Sequence, residues 1–346
     1  MATTIYTDHV TEDDDHFHHQ DQQNDTDNDH DHTLEKKFAS LPPSAEITIY
    51  VIVLTAIIVT NTLTIVAVAT RSKLRTIPNM YVSSLAVADL LIGVSLIGQI
   101  FTAVPETAEF LSRSEWACLV RTSIIYILVA LSTLSMLLIA FDRFLCIQFP
   151  LRYNNIMTKQ RAAAIIAASW VVAVAYGTVP MYTSNYDVHI GCEPTHIFPA
   201  WYMIGANPLL FFVVSVASFV LYVYIMKAVV RQRRLIQAQE IAAGVANKVE
   251  VRQRRKNYGA AKMLFLVFGL FFLCWSPLVI VGVLEYTVHV SHVWLTVCGA
   301  IVICHSAMNF AVYAAMNKDF KIAFKVMLCK TNSNLVEPTG TITLDS

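Results

Sequence analysis

The sequence predicts an all-α membrane protein: a bundle of seven transmembrane helices followed by a short amphipathic eighth helix. Three observations predict it. Hydrophobic residues make up 55% of the 346-residue chain and charged residues only 14%, where a soluble domain carries about 25% charged. The apolar residues gather in seven long runs, roughly 47–70, 79–104, 116–147, 161–182, 200–230, 259–287 and 292–315. A hydrocarbon core about 30 Å thick takes about 20 apolar residues per helix, so each run is long enough to cross. Finally, the bases lie between alternate runs. The loops after the first, third and fifth runs, with the C-terminal segment, hold 21 of the 25 bases, counting Arg143. Only Lys36, Lys37, Arg113 and Arg121 fall on the other side. The positive-inside rule then sets the N-terminus outside and the C-terminus in the cytoplasm. Helices are the expected form because lipid leaves no backbone polar group unpaired. The alternating strands of a membrane barrel are absent.

This layout divides the chain into a polar tail over 1–43, a bundle over 44–316, an interfacial helix over 317–329 and a cytoplasmic tail over 330–346. Residues 1–35 hold eleven acids and no base, so the remainder carries a net charge of +11. Such low-complexity polar sequence reads as a disordered extracellular segment. It contains six of the eleven histidines (His9, His16, His18, His19, His30 and His32), and His189, His196, His289 and His292 fall on the same outer side. Histidine changes charge between about pH 5 and 8, and with Asp it can bind zinc or copper. Proton or metal modulation therefore stands beside the plainer reading of a solvated tail. Asn24-Asp25-Thr26 is a glycosylation sequon on the outer side. No leader with a basic start, an apolar stretch and a cleavage site is visible, so the first run is expected to act as its own insertion signal.

Each element then carries a landmark. The first run holds Asn61. The second holds Leu85-Ala86-Val87-Ala88-Asp89, and an ionisable residue at membrane depth is functional by default. The third ends in Asp142-Arg143-Phe144, followed by Pro150-Leu151-Arg152-Tyr153. The fourth begins Arg161-Ala162-Ala163-Ala164. The fifth contains Asn207-Pro208 and Tyr222, and the loop after it carries Arg231-Gln232-Arg233-Arg234 and Arg252-Gln253-Arg254-Arg255-Lys256. Those bases read as anchors to anionic lipid, as a surface for a cytoplasmic partner, or as both. The sixth contains Cys274-Trp275-Ser276-Pro277. Pro277 removes an intrahelical hydrogen bond and bends the helix, so the large Trp275 ring beside it can convert contact into helix rotation; Phe271 extends the same stripe. The seventh holds His305, Ser306 and Asn309 through Tyr313. Beyond it, Asn317 through Leu328 alternates charge and bulk at helical spacing, which suits a helix lying in the interface. Cys329 at its end reads as a palmitoylation site or a plain free thiol. Cys146, Cys274, Cys298 and Cys304 read as small buried hydrophobes. Cys118 and Cys192 fall on the outer side, where oxidation is permitted.

Taken together, Asn61, the Asp89 segment, Asp142-Arg143-Phe144, Cys274-Trp275-Ser276-Pro277 and Asn309 through Tyr313 resemble the rhodopsin-like (class A) G-protein-coupled receptors. The resemblance covers roughly residues 44–330. It implies a plasma-membrane receptor that transmits an extracellular signal to a heterotrimeric G protein, with arrestin and a receptor kinase as further partners through the hydroxyl-rich C-terminal tail. It implies that Arg143 pairs with Asp142 at rest, then swings toward Tyr222 on activation, with Trp275, Pro277, Asn309 and Tyr313 as further switch residues. Pro150, Leu151 and Arg152 would dock on the G protein. Cys118 and Cys192 match the family disulfide. Asp89, Ser132, Ser306 and Asn309 match the ligands of an allosteric sodium ion in a polar core with Asn61. His305 stands where the family has Asn or Ser; it reads either as a titratable group beside the carboxylate or as a neutral histidine hydrogen-bonded to Asp89.

Departures from the family pattern bear on function. Phe310 replaces the usual seventh-span Pro, so that kink should be weaker. Val214 replaces the usual fifth-span Pro, with Pro208 two turns earlier. Asn257 stands where an acid would clamp Arg143 from the sixth span, which implies elevated basal signalling. Ile125 replaces the amine-binding Asp and Ile303 the retinal-binding Lys, which excludes monoamines and light. Pro150 through Tyr153, Arg161 through Ala164 and Ser306-Ala307-Met308-Asn309 are similar to the adenosine receptors and their relatives, the melanocortin, cannabinoid and lysophospholipid receptors. The adenosine-contacting Asn and His are Gly282 and Val279 here. The remaining ligand candidates, Ile125, Tyr126, Phe198, Trp201, Val279, Gly282, Trp294 and Ile303, make an apolar, aromatic cavity suited to a small or lipid-like ligand. A peptide ligand, and a constitutive or non-coupling scaffold, are the alternatives. Beyond a sodium ion at Asp89 no cofactor is expected, and nothing points to nucleic acid. The chain shows no nucleophile-and-base motif, phosphate-cradling Gly loop or zinc signature, and no internal repeat of the transporter kind.

Overall fold

The structure, a computed structural model, describes residues 43–102, 104–187, 189, 192, 197–243, 248–288, 290 and 292–329. The Asp/His-rich tail with Asn24, and the segment after Cys329, lie outside the described residues. The chain divides into two units, Met1–Glu46 and Ile47–Ser346. The described part of the first is the opening turn of a helix. Every regular element among the described residues is helical, and seven helices are long and apolar enough to cross a membrane. They are Pro43–Thr70, Ile77–Thr102, Glu115–Gln148, Lys159–Gly177 with its continuation Val179–Thr183, Trp201–Ala243, Lys248–Val288 and His292–Met316. An eighth helix, Lys318–Cys329, follows at once.

The starts and breaks follow from local chemistry. Ser114 caps the third span by accepting from the Ala117 amide, and Thr158 caps the fourth by accepting from Arg161. These side-chain oxygens satisfy donors that the first turn leaves open. The fourth span breaks at Thr178, just before Pro180, which has no amide to give to the ladder. The fifth opens with a wide π turn over Trp201–Ala206, immediately ahead of Pro208. A π turn is one way a helix absorbs a missing donor. Pro277 sits inside the sixth helix. The seventh runs unbroken through Phe310. Asn317 then starts the eighth by accepting from the amides of Asp319 and Phe320.

The main core is shared by all seven spans. It runs from Ala67 and Tyr81 through Met136 and Ile139 to Tyr222, Phe271, Trp275 and Tyr313, and it takes in Phe320 and Phe324 of the eighth helix. Aromatic rings dominate its lower half. Phe310 lies 4.3 Å from Phe324, and Tyr313 stacks on Phe320 at 5.4 Å. The eighth helix is therefore fixed to the seventh through two ring pairs.

The third and fourth spans are in tight contact at Gly177. A Cβ there would lie 2.6 Å from the Ile127 Cα, which is backbone and cannot turn aside. Gly177→Ala is expected to force the helices apart and to cost about 1–3 kcal/mol. Gly269→Ala is the control, because its Cβ would meet nothing within 4 Å; it should hold or raise the melting temperature, since Ala suits a helix better than Gly by about 1 kcal/mol. Thermal unfolding of both purified variants checks the contrast.

Candidate functional site

At one end of the bundle, both oxygens of the Asp142 carboxylate are occupied. Arg143 Nε donates to Oδ2 at 3.1 Å, Nη2 donates to the same oxygen, and Tyr153 Oη donates to Oδ1 at 2.7 Å. Asp142 is buried, and the Arg143 side chain is only 11% exposed. A desolvated ion pair is stable only when its remaining valences are filled, and Tyr153 fills the one that Arg143 leaves. Burial and the neighbouring carboxylate hold the Tyr153 phenol well above the ordinary tyrosine range. It stays protonated, and so remains a donor, throughout neutral pH.

Tyr153 belongs to a one-turn helix, Tyr153–Ile156, that seats the loop after the third span. Arg161 Nη1 donates to the carbonyls of Asn155 and Ile156, both at 2.8 Å. Tyr81 Oη donates to Met157 Sδ at 3.5 Å. The loop is thus held from two sides, yet Pro150, Leu151 and Arg152 stay exposed, Leu151 at 96%. Phe144 packs edge-on against Phe149 and Tyr224.

Above this end lies a run of rings that sequence reading did not assemble. Trp275 packs on Phe271 at 5.6 Å, Phe271 on Phe211 at 5.9 Å and Phe211 on Phe272 at 5.9 Å. Phe272 meets Phe268 at 6.5 Å, and Phe268 meets Tyr222 at 5.4 Å. Contact is therefore continuous from the part of the sixth helix beside Pro277 to Tyr222. The signal for it was present in the sixth span, where Phe265, Phe268 and Phe272 recur at helical spacing. Phe211, on the fifth span, gives no such signal.

The polar core gathers Asn61, Asp89, Ser306 and Asn309. Asn61 Nδ2 donates to the carbonyls of Ile57 and Ser306, both at 3.0 Å. Asn309 Nδ2 donates to Asp89 Oδ2 at 2.8 Å, and the Ser306 side chain also bonds to Asp89. Ser132 and His305 are buried, but Ser132 Oγ and His305 Nε2 have no hydrogen-bond partner among the described residues. Instead the His305 ring meets Phe271 edge-on at 5.7 Å. The hydrogen bond from His305 to Asp89, one of the two expectations for this residue, is not formed; Asn309 and Ser306 serve the carboxylate in its place. Among the described residues no group of three or more His, Cys, Asp or Glu is placed to hold a metal ion.

At the opposite end, Cys118 and Cys192 form a disulfide with Cα atoms 5.6 Å apart. Beside it an aromatic cluster closes around Tyr202, a buried residue that sequence reading missed. Tyr126 lies 4.8 Å from Phe198 and 5.6 Å from Tyr202, and Tyr176 lies 5.3 Å from Tyr202. The hydroxyls are tied inward. Tyr126 donates to Met203 Sδ at 3.0 Å and Tyr176 to Asn207 Oδ1 at 2.6 Å. Ile125, Val279, Gly282 and Ile303 are half-buried, and the space beside Gly282 is open. Trp201 and Trp294 have 57% and 58% of their surface exposed. A hydrophobic run shows that a residue is apolar but not which way it faces. Cys329 ends the eighth helix, and its side chain, like that of Asn257, lies outside the described residues.

The sequence matches the family described as 7 transmembrane receptor (rhodopsin family) over residues 60–313. It is 30% identical to the adenosine receptor A2a of Homo sapiens over 309 residues, which is 82% of this chain and 72% of that receptor. It is 30% identical to the adenosine receptor A2b of Bos taurus over 332 residues, 84% of this chain and 94% of that receptor. The 5-hydroxytryptamine receptor 4 of Cavia porcellus is 27% identical over 341 residues, 87% of this chain and 84% of that receptor. With seven membrane-crossing helices, the disulfide and the paired Asp142–Arg143 already in place, the chain belongs to the rhodopsin family of seven-transmembrane receptors and is related to the adenosine receptors.

Proposed function

We propose that this protein is a plasma-membrane receptor, N-terminus outside, that passes an extracellular signal from a small or lipid-like non-amine ligand to a heterotrimeric G protein. The observation that carries this reading is the Asp142–Arg143–Tyr153 cluster beside the bare Pro150-Leu151-Arg152 loop. A buried guanidinium released from one carboxylate becomes available to another acceptor, and a 96%-exposed Leu151 is apolar surface awaiting cover. The ligand class rests on side-chain chemistry. Ile125 offers no counter-charge to the ammonium of a 5-hydroxytryptamine-like amine. Gly282 and Val279 offer no hydrogen bond to a purine. The ring run from Trp275 to Tyr222 supplies packed groups between ligand end and G-protein end, so a shift at Pro277 meets no soft gap on its way to Tyr222.

The test is to express the full chain in cells and record dissociation of each Gα subtype without added ligand. A signal above mock-transfected cells is expected, because Asn257 offers no negative charge to restrain Arg143. Signal at mock level, with the receptor confirmed at the surface, would overturn the elevated basal activity.

The reading includes a sodium ion at Asp89. The residues fit a hard cation: the Asp89 carboxylate, the Ser306 hydroxyl and the buried Ser132 Oγ, unpartnered among the described residues, are all oxygen donors. When bound, the ion would supply positive charge to a carboxylate that otherwise has only neutral donors, and so favour the resting packing. Purified receptor should melt several degrees higher in sodium chloride than in choline chloride at equal ionic strength, and Asp89→Asn should abolish the difference. Equal melting of the unmodified receptor in both salts would remove the ion from this account.

A further inference from the structure

Tyr153 does more to Asp142 than fill a valence. Both Arg143 bonds, from Nε and from Nη2, end on the single oxygen Oδ2, while Tyr153 Oη holds Oδ1. The strong form of an arginine–carboxylate pair is bidentate, with two parallel bonds on two oxygens. Here the phenol occupies the second oxygen, so that form is closed to Arg143. The pair is kept in a one-oxygen arrangement that gives Arg143 up more readily.

The helix that carries Tyr153 cannot hold it there unaided. Tyr153–Ile156 is one turn, and a single turn fixes more backbone than its own hydrogen bonds repay. Its closing bonds run from the Ile156 amide to the Arg152 carbonyl and from the Met157 amide to the Tyr153 carbonyl. The Asn155 and Ile156 carbonyls lie past them, and a helix end leaves such carbonyls in need of outside donors. Arg161 supplies the donor, with Nη1 at 2.8 Å from both. A basic side chain suits this place, because the C-terminal end of a helix is its negative end. Arg161 is itself fixed in the first turn of the fourth span, where its amide donates to the Thr158 cap. Tyr81, bonded to Met157, secures the other side. We propose that Arg161 is a positioning residue for the Asp142–Arg143 pair: it clamps the Tyr153 turn, seats the phenol on Oδ1 and so keeps Arg143 releasable. This deepens the reading of a G-protein-coupled receptor and rests on it.

The test in cells is basal Gα dissociation per receptor at the surface. Arg161→Gln should lower it severalfold. Tyr153→Phe, which leaves the clamp and the exposed loop in place, should lower it as much, because the freed Oδ1 takes a second bond from Arg143. The two substitutions together should lower it no further, since both act through one contact. Arg161→Lys, which keeps the charge but not the planar fork, should fall between. Adding Asp142→Asn to Arg161→Gln should restore the signal, because the pair cannot close without a carboxylate; a loss of docking surface would not be restored. A signal that holds or rises in either single variant, or a deficit that Asp142→Asn leaves in place, would overturn the proposal.

The clamp is also read without a G protein. Arg152 is exposed, and trypsin cuts beside it when the turn opens. In the purified full chain, Arg161→Gln should speed that cut severalfold, and the melting-temperature losses of Arg161→Gln and Tyr153→Phe should be less than additive. Unchanged cleavage or additive losses would overturn the clamp. Both effects present in a receptor with no basal signal would support the clamp and count against the coupling reading alone.

Discussion

Arg143→Ala is expected to reduce G-protein dissociation, basal and ligand-driven alike, to the level of mock-transfected cells. The guanidinium is the one strong cation inside the cluster at that end, and alanine leaves nothing to reach an acceptor on a partner. The substitution also has a structural cost. Asp142 is buried and would keep only the Tyr153 hydroxyl, and removing one member of a buried ion pair costs about 3–5 kcal/mol. A fall in signal could therefore reflect a fall in folded receptor. Arg143→Ala combined with Asp142→Asn resolves this, because the neutral amide no longer needs the arginine. The double variant should recover surface level but not signal. Asp142→Asn alone should move the other way, raising basal signal by freeing Arg143 while leaving it present. If Arg143→Ala signals normally at normal surface density, Arg143 is not the coupling residue.

Cys118→Ser is expected to be the most damaging change at the other end. The bridge spans 74 residues of sequence, and a free chain closed over that length would gain about 4 kcal/mol. A membrane bundle should gain less, because helices that remain inserted are never a free chain. The expected loss is thus local: the segment between the fourth and fifth spans is released, and Arg121 loses its sulfur contact. Surface expression should fall severalfold and the melting temperature of the purified receptor should drop by several degrees. Cys192→Ser and the double variant should match the single one, since all three remove the same bond. Reductant should lower the melting temperature of the unmodified protein and leave all three variants unaffected. A double variant much worse than either single one would mean that the thiols act separately.

The contrast between what was legible in the sequence and what was not has a physical basis. Length and composition identify a membrane helix, because lipid imposes both, so the seven helices, the eighth and the receptor family could be read from the chain. Direction could not. These helices are apolar nearly all round, and the periodicity that marks the buried face of a soluble helix is weak in them. Nothing in the sequence separates Trp201, which is largely exposed, from its neighbour Tyr202, which is fully buried. Contacts between helices were equally hidden. Phe211 completes the ring run, Tyr153 completes the Asp142 carboxylate and Gln99 meets Arg121, yet each is separated in sequence from its partner and carries no local mark of it. The Cys118–Cys192 pair was legible only through resemblance to a family, since two cysteines far apart give no geometry of their own.

The ring pairs joining the last two helices have a mechanical consequence. A helix with proline at position 310 would have a soft joint there; this one has a phenylalanine whose ring rests on Phe324. The seventh and eighth helices then turn as a single bent lever, with Asn317 at its elbow. Any torque on the short arm is delivered straight to Tyr313 on the long one.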